Sequence, residues 1–245
     1  MLSDSSVQDD AACARLACVD GSERRALAAG ATPSAERRLI VMDIDSTLIN
    51  EEVIDLIADE AGQGERVADI TARAMAGELD FAKALSERVG LLAGLSVSVF
   101  ERVLDRVSFT PGALDLIAEA HRRGWVVGVV SGGFHEVADE LVMRAGIDCC
   151  LANRLEVCAG CLTGKTTGPV VTRELKRETM LAWAREHGIP ACRVIAIGDG
   201  ANDIPMIQAA GIGIAFCAKP AVRAAAPYSI DERNLLRVLD LIAAV

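Results

Sequence analysis

Two carboxylates stand one residue apart at the end of an apolar run. The segment LIVMDIDSTLINEE, residues 39–52, passes from four apolar residues directly into Asp43 and Asp45. An unpaired buried charge is costly, so the pair needs a positive charge nearby or a chemical role. Carboxylates so close together can share the work of a nucleophile and a general acid or base. They can also bind a metal ion.

Polar residues follow three separate apolar segments, each predicted to be a strand. They are Asp43 and Asp45 after LIVM, Ser131-Gly132-Gly133 after WVVGVV, and Asp199, Asn202 and Asp203 after RVIAIG. Open parallel sheets bind their ligands beyond the carboxyl ends of their strands. If these three strands are neighbours, the polar residues converge on one acidic pocket.

This pocket is predicted to bind Mg²⁺. Asp43, Asp45 and Asp199 offer hard oxygen ligands, which suit Mg²⁺ better than zinc. The ion would offset the clustered negative charge. A cation near the start of the helix TRELKRETM could also reach an anion here, and Lys176 is the candidate, with Lys165 and Arg177 as alternatives.

The elements that must position these residues alternate between strand and helix, which predicts an α/β fold with a Rossmann-like, doubly wound parallel sheet. Strands are predicted at 39–43, in WVVGVV, DCCLAN, RVIAIGD, IGIAF and YSI, and a hairpin at 155–171. Residues 52–106 carry four helical patterns, which predicts a helical cap inserted after the first strand. The catalytic core is then 39–51 and 107–245. Residues 1–38 are predicted to be an N-terminal extension, partly helical or disordered.

Composition excludes several classes of partner. The chain has 35 acidic and 25 basic residues, a formal charge of −10, which argues against nucleic acid or an anionic membrane. No apolar run approaches the roughly 20 residues of a membrane span. The N-terminus lacks the basic and apolar regions of a signal peptide, so we expect a cytoplasmic protein. The eight cysteines are expected to be small buried hydrophobes.

Three other patterns suggest sites that their context does not support. AGCLTGKT, residues 159–166, loosely matches a phosphate-binding loop, but the chain runs on as an extended Gly-Pro-broken segment and not as a helix. CAGC, residues 158–161, lacks the second well-spaced pair of a zinc site. The three histidines, His121, His135 and His187, show no ligand spacing.

Together, DIDST, SGG, a helix lysine and GDGANDIPM resemble the motifs of the haloacid-dehalogenase-like phosphohydrolases. TARAMAGELDFAKALSERVGLL, ANRLEV and GIAFCAKPAV are similar to the branch of that family that acts on phosphoserine, and the resemblance covers residues 39–245. It implies Mg²⁺-dependent hydrolysis of phosphoserine to serine and phosphate, the last step of serine biosynthesis. Many bacterial relatives carry an amino-acid-binding regulatory domain before the core; some 38 residues are too few for one, so we expect none.

The resemblance also implies residue roles. Asp43 would be the nucleophile and Asp45 the general acid and base. Mg²⁺ would bind the carboxylates of Asp43 and Asp199 and the backbone carbonyl of Asp45. The phosphoryl group would be held by Ser131, the Gly132 amide and Lys176, with Asp203 supporting the metal or Lys176.

In the cap, the resemblance implies that Glu52 binds the substrate ammonium and Arg88 its carboxylate. Met75 and Phe81 would form an apolar lid, and Asn202 would add a polar contact. Without the resemblance, Glu52 and Arg88 would be taken for surface charges, and Met75 and Phe81 for core residues.

Alternatives to a phosphatase stay open at this point. The same scaffold could pass the phosphoryl group to an alcohol acceptor such as homoserine. A receiver-like or non-catalytic protein could bind a phospho-ligand, although receivers are about half this length and lack the helical insert. The predicted partner is a small molecule, and the protein is predicted to be a monomer or a homodimer.

Overall fold

Within the described residues, seven strands form one sheet in the order β4-β3-β2-β1-β5-β6-β7. The structure, a computed structural model, describes residues 37–75 and 78–245, so the predicted N-terminal extension lies almost wholly outside it, as does the side chain of Met75. All neighbouring strands are parallel except β3 and β4. The strands are β1 Leu39–Met42, β2 Val126–Phe134, β3 Cys149–Cys158, β4 Cys161–Thr167, β5 Val194–Gly198, β6 Ile212–Phe216 and β7 Tyr228–Ile230.

The central strand β1 lies between β2 and β5, which places the three predicted site segments at one edge of the sheet. Its side chains alternate between faces. Leu39 and Val41 pack in one apolar cluster, and Ile40 and Met42 in another. Helices cover both faces, so the predicted α/β fold with a doubly wound sheet is confirmed.

The described helices are α1 Val53–Glu60, α2 Gly64–Met75, α3 Phe81–Gly90, α4 Val99–Arg106, α5 Ala113–Arg122, α6 His135–Ala145, α7 Arg173–Glu186, α8 Ile204–Ala209, α9 Pro220–Ala225 and α10 Arg237–Ala244. Among the described residues, no helix is long and apolar enough to cross a membrane.

Helices α1 to α4 occupy the segment between β1 and α5, where the sequence predicted only helices. Asp80 begins α3, because its side chain accepts a hydrogen bond from the Lys83 amide at 2.8 Å. The apolar sides of α1 and α4, including Ile57 and Val103, join the cluster that covers one face of the sheet. The division of the chain into core and cap stays a prediction.

Two strand predictions were wrong in extent. Ser131-Gly132-Gly133 was expected after a strand, but β2 continues through it to Phe134 and pairs irregularly with β3 beyond Val130. The predicted short strand DCCLAN and the first arm of the predicted hairpin are one strand, β3. Asn153 does not break it, because the Asn153 side chain bonds to neighbouring segments and does not form a turn.

Candidate active site

A wide turn presents the two carboxylates at the end of β1. The Asp43 amide still donates to the Ile197 carbonyl of β5 at 3.0 Å. The turn Ile44–Leu48 then closes through the Leu48 amide, which donates to the Asp43 carbonyl at 3.3 Å. Ser46 takes a φ of 55° inside it, a left-handed conformation that few residues other than glycine adopt. The chain thereby reverses at once, and Asp43 and Asp45 stay at the sheet edge.

Asp43 is buried and paired with a buried lysine. Lys176 Nζ lies 2.8 Å from Asp43 Oδ1 and 2.8 Å from Asp203 Oδ1, and its side chain is fully buried. Burial lowers the pKa of Lys176, but the charges of Asp203 and Asp43 outweigh it, so the ammonium stays charged. Burial and then the charge of Asp203 raise the pKa of Asp43 well above its usual value, and Lys176 offsets this only in part.

Asp45 is held from two sides. Its Oδ1 accepts a hydrogen bond from the Val53 amide at 2.8 Å, at the first residue of α1. Its Oδ2 accepts one from Ser131 Oγ at 3.0 Å. Burial, followed by the charge of Glu52, raises the pKa of Asp45 to about 6. A carboxyl group with such a pKa suits proton transfer near neutral pH.

The Ser131–Gly133 segment passes close to these carboxylates. Ser131 Oγ accepts a hydrogen bond from the Gly133 amide at 2.8 Å while it donates to Asp45. A Cβ atom at position 133 would lie 2.7 Å from Asp45 Oδ2, so only glycine permits this approach. A Cβ at position 132 would lie 3.3 Å from the Phe81 ring of α3. The segment is therefore enclosed between Asp45 and Phe81.

Three carboxylates form a candidate metal-binding cluster. Oxygen atoms of Asp43, Asp199 and Asp203 lie within 4.8 Å of one another. Thr47 Oγ1 donates to Asp199 at 3.3 Å. Burial, then the charges of Asp203 and Glu52, raise the pKa of Asp199 to about 6. These groups fit a hard cation: they are all oxygen donors, and their negative charges are only partly balanced by Lys176.

His135, Asp139 and Cys150 also lie within 4.8 Å of one another, a grouping that the sequence did not suggest. The His135 ring already has a partner at each nitrogen. Nδ1 bonds Asp139 at 2.7 Å, and Nε2 accepts from the Ala152 amide at 3.1 Å. Burial raises the pKa of Cys150 to about 12, so its thiol stays protonated. This arrangement suits a structural contact better than a metal ligand set.

The predicted substrate-binding side chains within the described residues differ in exposure and in their contacts. Glu52 is exposed, and its Oε1 accepts from Ser46 Oγ at 2.6 Å. Arg88 of α3 is half-buried; burial lowers its pKa, and the charges of Asp55, Glu52 and Asp45 offset this only in part. Phe81 is 38% exposed at the start of α3. Asn202, in the short turn Ala201–Asp203, is half-buried.

The structure resolves what local sequence could not. Lys165 and Arg177 are exposed, whereas Lys176 is the lysine that reaches Asp43. The segment Cys161–Thr167 is a strand and does not open a helix, as predicted against a phosphate-binding loop.

Sequence reasoning missed three residues around the site. Thr47 bonds Asp199; Arg233 donates to the Ile49 carbonyl at 3.2 Å and to Asn50 at 2.6 Å; Asn153 bonds Gly132. The only available signals were the position of Thr47 two residues after Asp45 and of Asn153 inside the quoted segment ANRLEV.

Known proteins of similar sequence and structure include phosphoserine phosphatases. The chain is 55% identical to the phosphoserine phosphatase of Streptococcus thermophilus over 212 residues, 86% of this chain and 99% of that protein. Two solved structures are described as a phospho-aspartyl intermediate analogue of phosphoserine phosphatase and a substrate-bound phosphoserine phosphatase complex. Both match with a TM-score of 0.80 and 43% identity, over 84% of this chain and 99% and 98% of theirs. Residues 40–208 match the haloacid dehalogenase-like hydrolase family, and the chain belongs to that family.

Proposed function

We propose that the protein is a phosphatase that hydrolyses phosphoserine to serine and phosphate through an aspartyl-phosphate on Asp43. One observation carries the proposal: two carboxylates two residues apart have different surroundings. Asp43 faces a buried ammonium group, whereas Asp45 is held by a hydroxyl and a backbone amide. Such a division suits one nucleophile and one acid/base group. The likeness to phosphoserine phosphatases supports the choice of substrate.

In the first step, Asp43 attacks phosphorus. The Ile44 amide and Lys176 Nζ both contact Asp43 Oδ1 at 2.8 Å, which directs Oδ2 towards the substrate. The bond from phosphorus to the seryl oxygen breaks, and that oxygen takes a proton from the Asp45 carboxyl group. Serine leaves, and the phosphoryl group stays on Asp43. The raised pKa of Asp45, about 6, makes it a competent donor.

In the second step, water attacks the phosphorus of the aspartyl-phosphate. Asp45, now ionised, accepts a proton from the water. Phosphate leaves, and the carboxylate of Asp43 is restored. Ser131 orients Asp45 before the substrate binds, because its hydroxyl is itself fixed by the Gly133 amide. Its single hydrogen is then free to turn to a phosphoryl oxygen when the substrate is bound.

The phosphoryl oxygens are proposed to be bound by Ser131, the Gly132 amide and Lys176. Asp43, Asp199 and the Asp45 backbone carbonyl would hold Mg²⁺, which would neutralise charge on the transferring oxygens. Asp203 would orient Lys176, since its Oδ1 lies 2.8 Å from Nζ and its Oδ2 accepts from the Gly200 amide at 3.1 Å.

Recognition of the serine moiety is assigned to the helical segment 52–106, acting as a cap. Glu52 would bind the ammonium group and Arg88 the carboxylate. Phe81 and Met75 would exclude water, and Asn202 would add a polar contact. The placement of Phe81 against Gly132 and the electrostatic coupling of Arg88 to Asp45 and Glu52 support this assignment. A cytoplasmic location and a monomeric or dimeric state stay predictions.

The test is phosphate release from L-phosphoserine, measured with Mg²⁺ and with EDTA, beside phosphothreonine, sugar phosphates and nucleotides. We expect fast turnover of phosphoserine that needs the metal and disappears in Asp43→Asn. Arg88→Lys should raise the KM for phosphoserine by at least tenfold, because lysine cannot form the planar two-point contact. Arg102→Lys, on the exposed side of α4, is the matched control and should behave as wild type.

Turnover of a different panel member would refute the roles of Glu52 and Arg88 but keep the Asp43 chemistry. Products are also analysed with added homoserine: accumulation of a phosphorylated acceptor would replace the hydrolase with a phosphotransferase. Absence of turnover with every substrate would refute the proposal and favour a binding protein.

A further inference from the structure

The pairing of β2 with β3 is interrupted beside the proposed phosphoryl site. Val130 is opposite Leu151 and Phe134 is opposite Asn153, so β2 advances four residues while β3 advances two. The surplus lies in Ser131–Gly133, the segment assigned to the phosphoryl group. Backbone groups released from a sheet need other partners when they are buried.

The side chain of Asn153 supplies that partner. It is only 1% exposed. Its Nδ2 donates to the Gly132 carbonyl at 2.8 Å, and its Oδ1 accepts from the Val171 amide at 2.8 Å. The nitrogen and the oxygen of the side-chain amide are therefore both hydrogen-bonded, each to the backbone of a different segment.

The second segment leads to Lys176. Val171 directly precedes Thr172, whose hydroxyl accepts from the Leu175 amide and begins α7. The Lys176 amide donates to the Thr172 carbonyl at 2.9 Å, so the lysine stands one turn into the helix. The position where α7 begins therefore determines where the Lys176 ammonium group lies relative to Asp43.

We infer that Asn153 is a positioning residue: by bonding Gly132 and Val171 together, it fixes the spacing between the Ser131–Gly132 segment and Lys176. This inference rests on the proposed function, in which those two elements bind one phosphoryl group. Asn153 itself does not touch the substrate. Its loss would let the two halves of the anion site move relative to each other.

A purely structural role would have a different consequence. Loss of two buried hydrogen bonds would lower stability but leave the affinity of the folded molecules for phosphate unchanged. A positioning role requires weaker binding of phosphate by molecules that are folded. Affinity for inorganic phosphate, measured well below the melting temperature, therefore separates the two.

The experiment compares wild type, Asn153→Ala and Val194→Ala, with inorganic phosphate as competitive inhibitor in the presence of Mg²⁺. Val194 is a buried residue at the opposite end of β5 from the site, in the apolar cluster that also contains Val171 and Met180, so its variant loses packing beside α7 but leaves both hydrogen bonds of Asn153 in place. We expect the inhibition constant to rise at least tenfold in Asn153→Ala, with a larger fall in kcat/KM than in kcat. Val194→Ala should stay within twofold. An inhibition constant within twofold of wild type in Asn153→Ala would overturn the inference.

Amide hydrogen exchange in the wild type tests the same point without a substitution, should Asn153→Ala fail to fold. Saturating phosphate should slow exchange at the Val171 amide at least tenfold, although Val171 is outside the anion site. Slowing at Ser131–Gly133 with no change at Val171 would overturn the inference. A wild type that binds phosphate but does not hydrolyse phosphoserine refutes only the proposed function; one that does not bind phosphate overturns both.

Discussion

Gly133→Ala tests how closely the proposed phosphoryl-binding segment and Asp45 approach each other. The new Cβ would lie 2.7 Å from Asp45 Oδ2 and 3.1 Å from Ser131 Oγ, whereas ordinary contacts begin at 3.4 Å. The backbone φ at position 133 is one that alanine accepts, so the clash is the whole perturbation. One of the two partners must move.

The substitution is expected to slow the proton transfer by Asp45. Asp45 Oδ1 is held by the Val53 amide at 2.8 Å. The carboxylate therefore cannot retreat by more than about half an ångström without losing that bond. A misplacement of about 1 Å can cost about 10²-fold in rate, which is roughly 2.7 kcal/mol of barrier. We expect kcat to fall by about 30- to 100-fold, with a smaller change in KM. Activity with phosphoserine and thermal unfolding are measured on the same samples.

Two other glycines make a graded series. At Gly132 the added Cβ would lie 3.3 Å from the tip of the partly exposed Phe81 ring, which can swing aside, so kcat should change by no more than about threefold. At Gly90 the Cβ would meet open space, and the variant should match wild type. A Gly133→Ala enzyme whose kcat also stays within threefold would refute the claim that Asp45 is held rigidly.

Two further predictions concern the buried charges. Lys176→Met, measured by urea unfolding in EDTA, should lose about 3–5 kcal/mol of stability, because Asp43 and Asp203 then stay buried without their cation; a loss below about 1 kcal/mol would place the ion pair among weak surface contacts. The pKa of Asp199, raised by burial to about 6 from 3.8, means that the folded, metal-free protein binds more protons than the unfolded chain between those values. Relative to Asp199→Asn, wild type should therefore lose up to about 3 kcal/mol of stability in EDTA as pH rises from about 4 to about 6, and Mg²⁺ should remove the difference. A difference that stays flat or changes in the opposite direction contradicts this assignment.

The sequence predicted those candidate site residues that have reactive or metal-binding side chains and stand directly after a strand. Asp43, Asp45 and Asp199 directly follow apolar runs, and parallel strands carry such residues to one edge whatever the details of the loops. The local pattern alone could not separate Lys176 from Arg177, since both are helix cations and only the packing of α7 buries one of them; the choice of Lys176 came from the family resemblance.

Residues that act through backbone groups distant in sequence were also beyond prediction. The local sequence around Asn153 is compatible with a strand or with a turn. Its role depends on Gly132 and Val171, which are 21 and 18 positions away in the sequence and come beside it only in the fold. The extent of β2 was wrong for a related reason. Two glycines after an apolar run usually indicate that a strand has ended. Here β2 continues through them to Phe134, and its pairing with β3 is irregular between Val130 and Phe134.

The hydrogen bond from the Val53 amide to Asp45 connects the helical segment directly to the proposed proton donor. If α1 lifts away to admit substrate, the carboxyl group loses a fixed partner at the same moment. A phosphate ester that enters but does not draw the helices back into place would then meet a nucleophile without an aligned acid. Discrimination among substrates would accordingly show in the rate of bond cleavage, even between compounds that bind equally well.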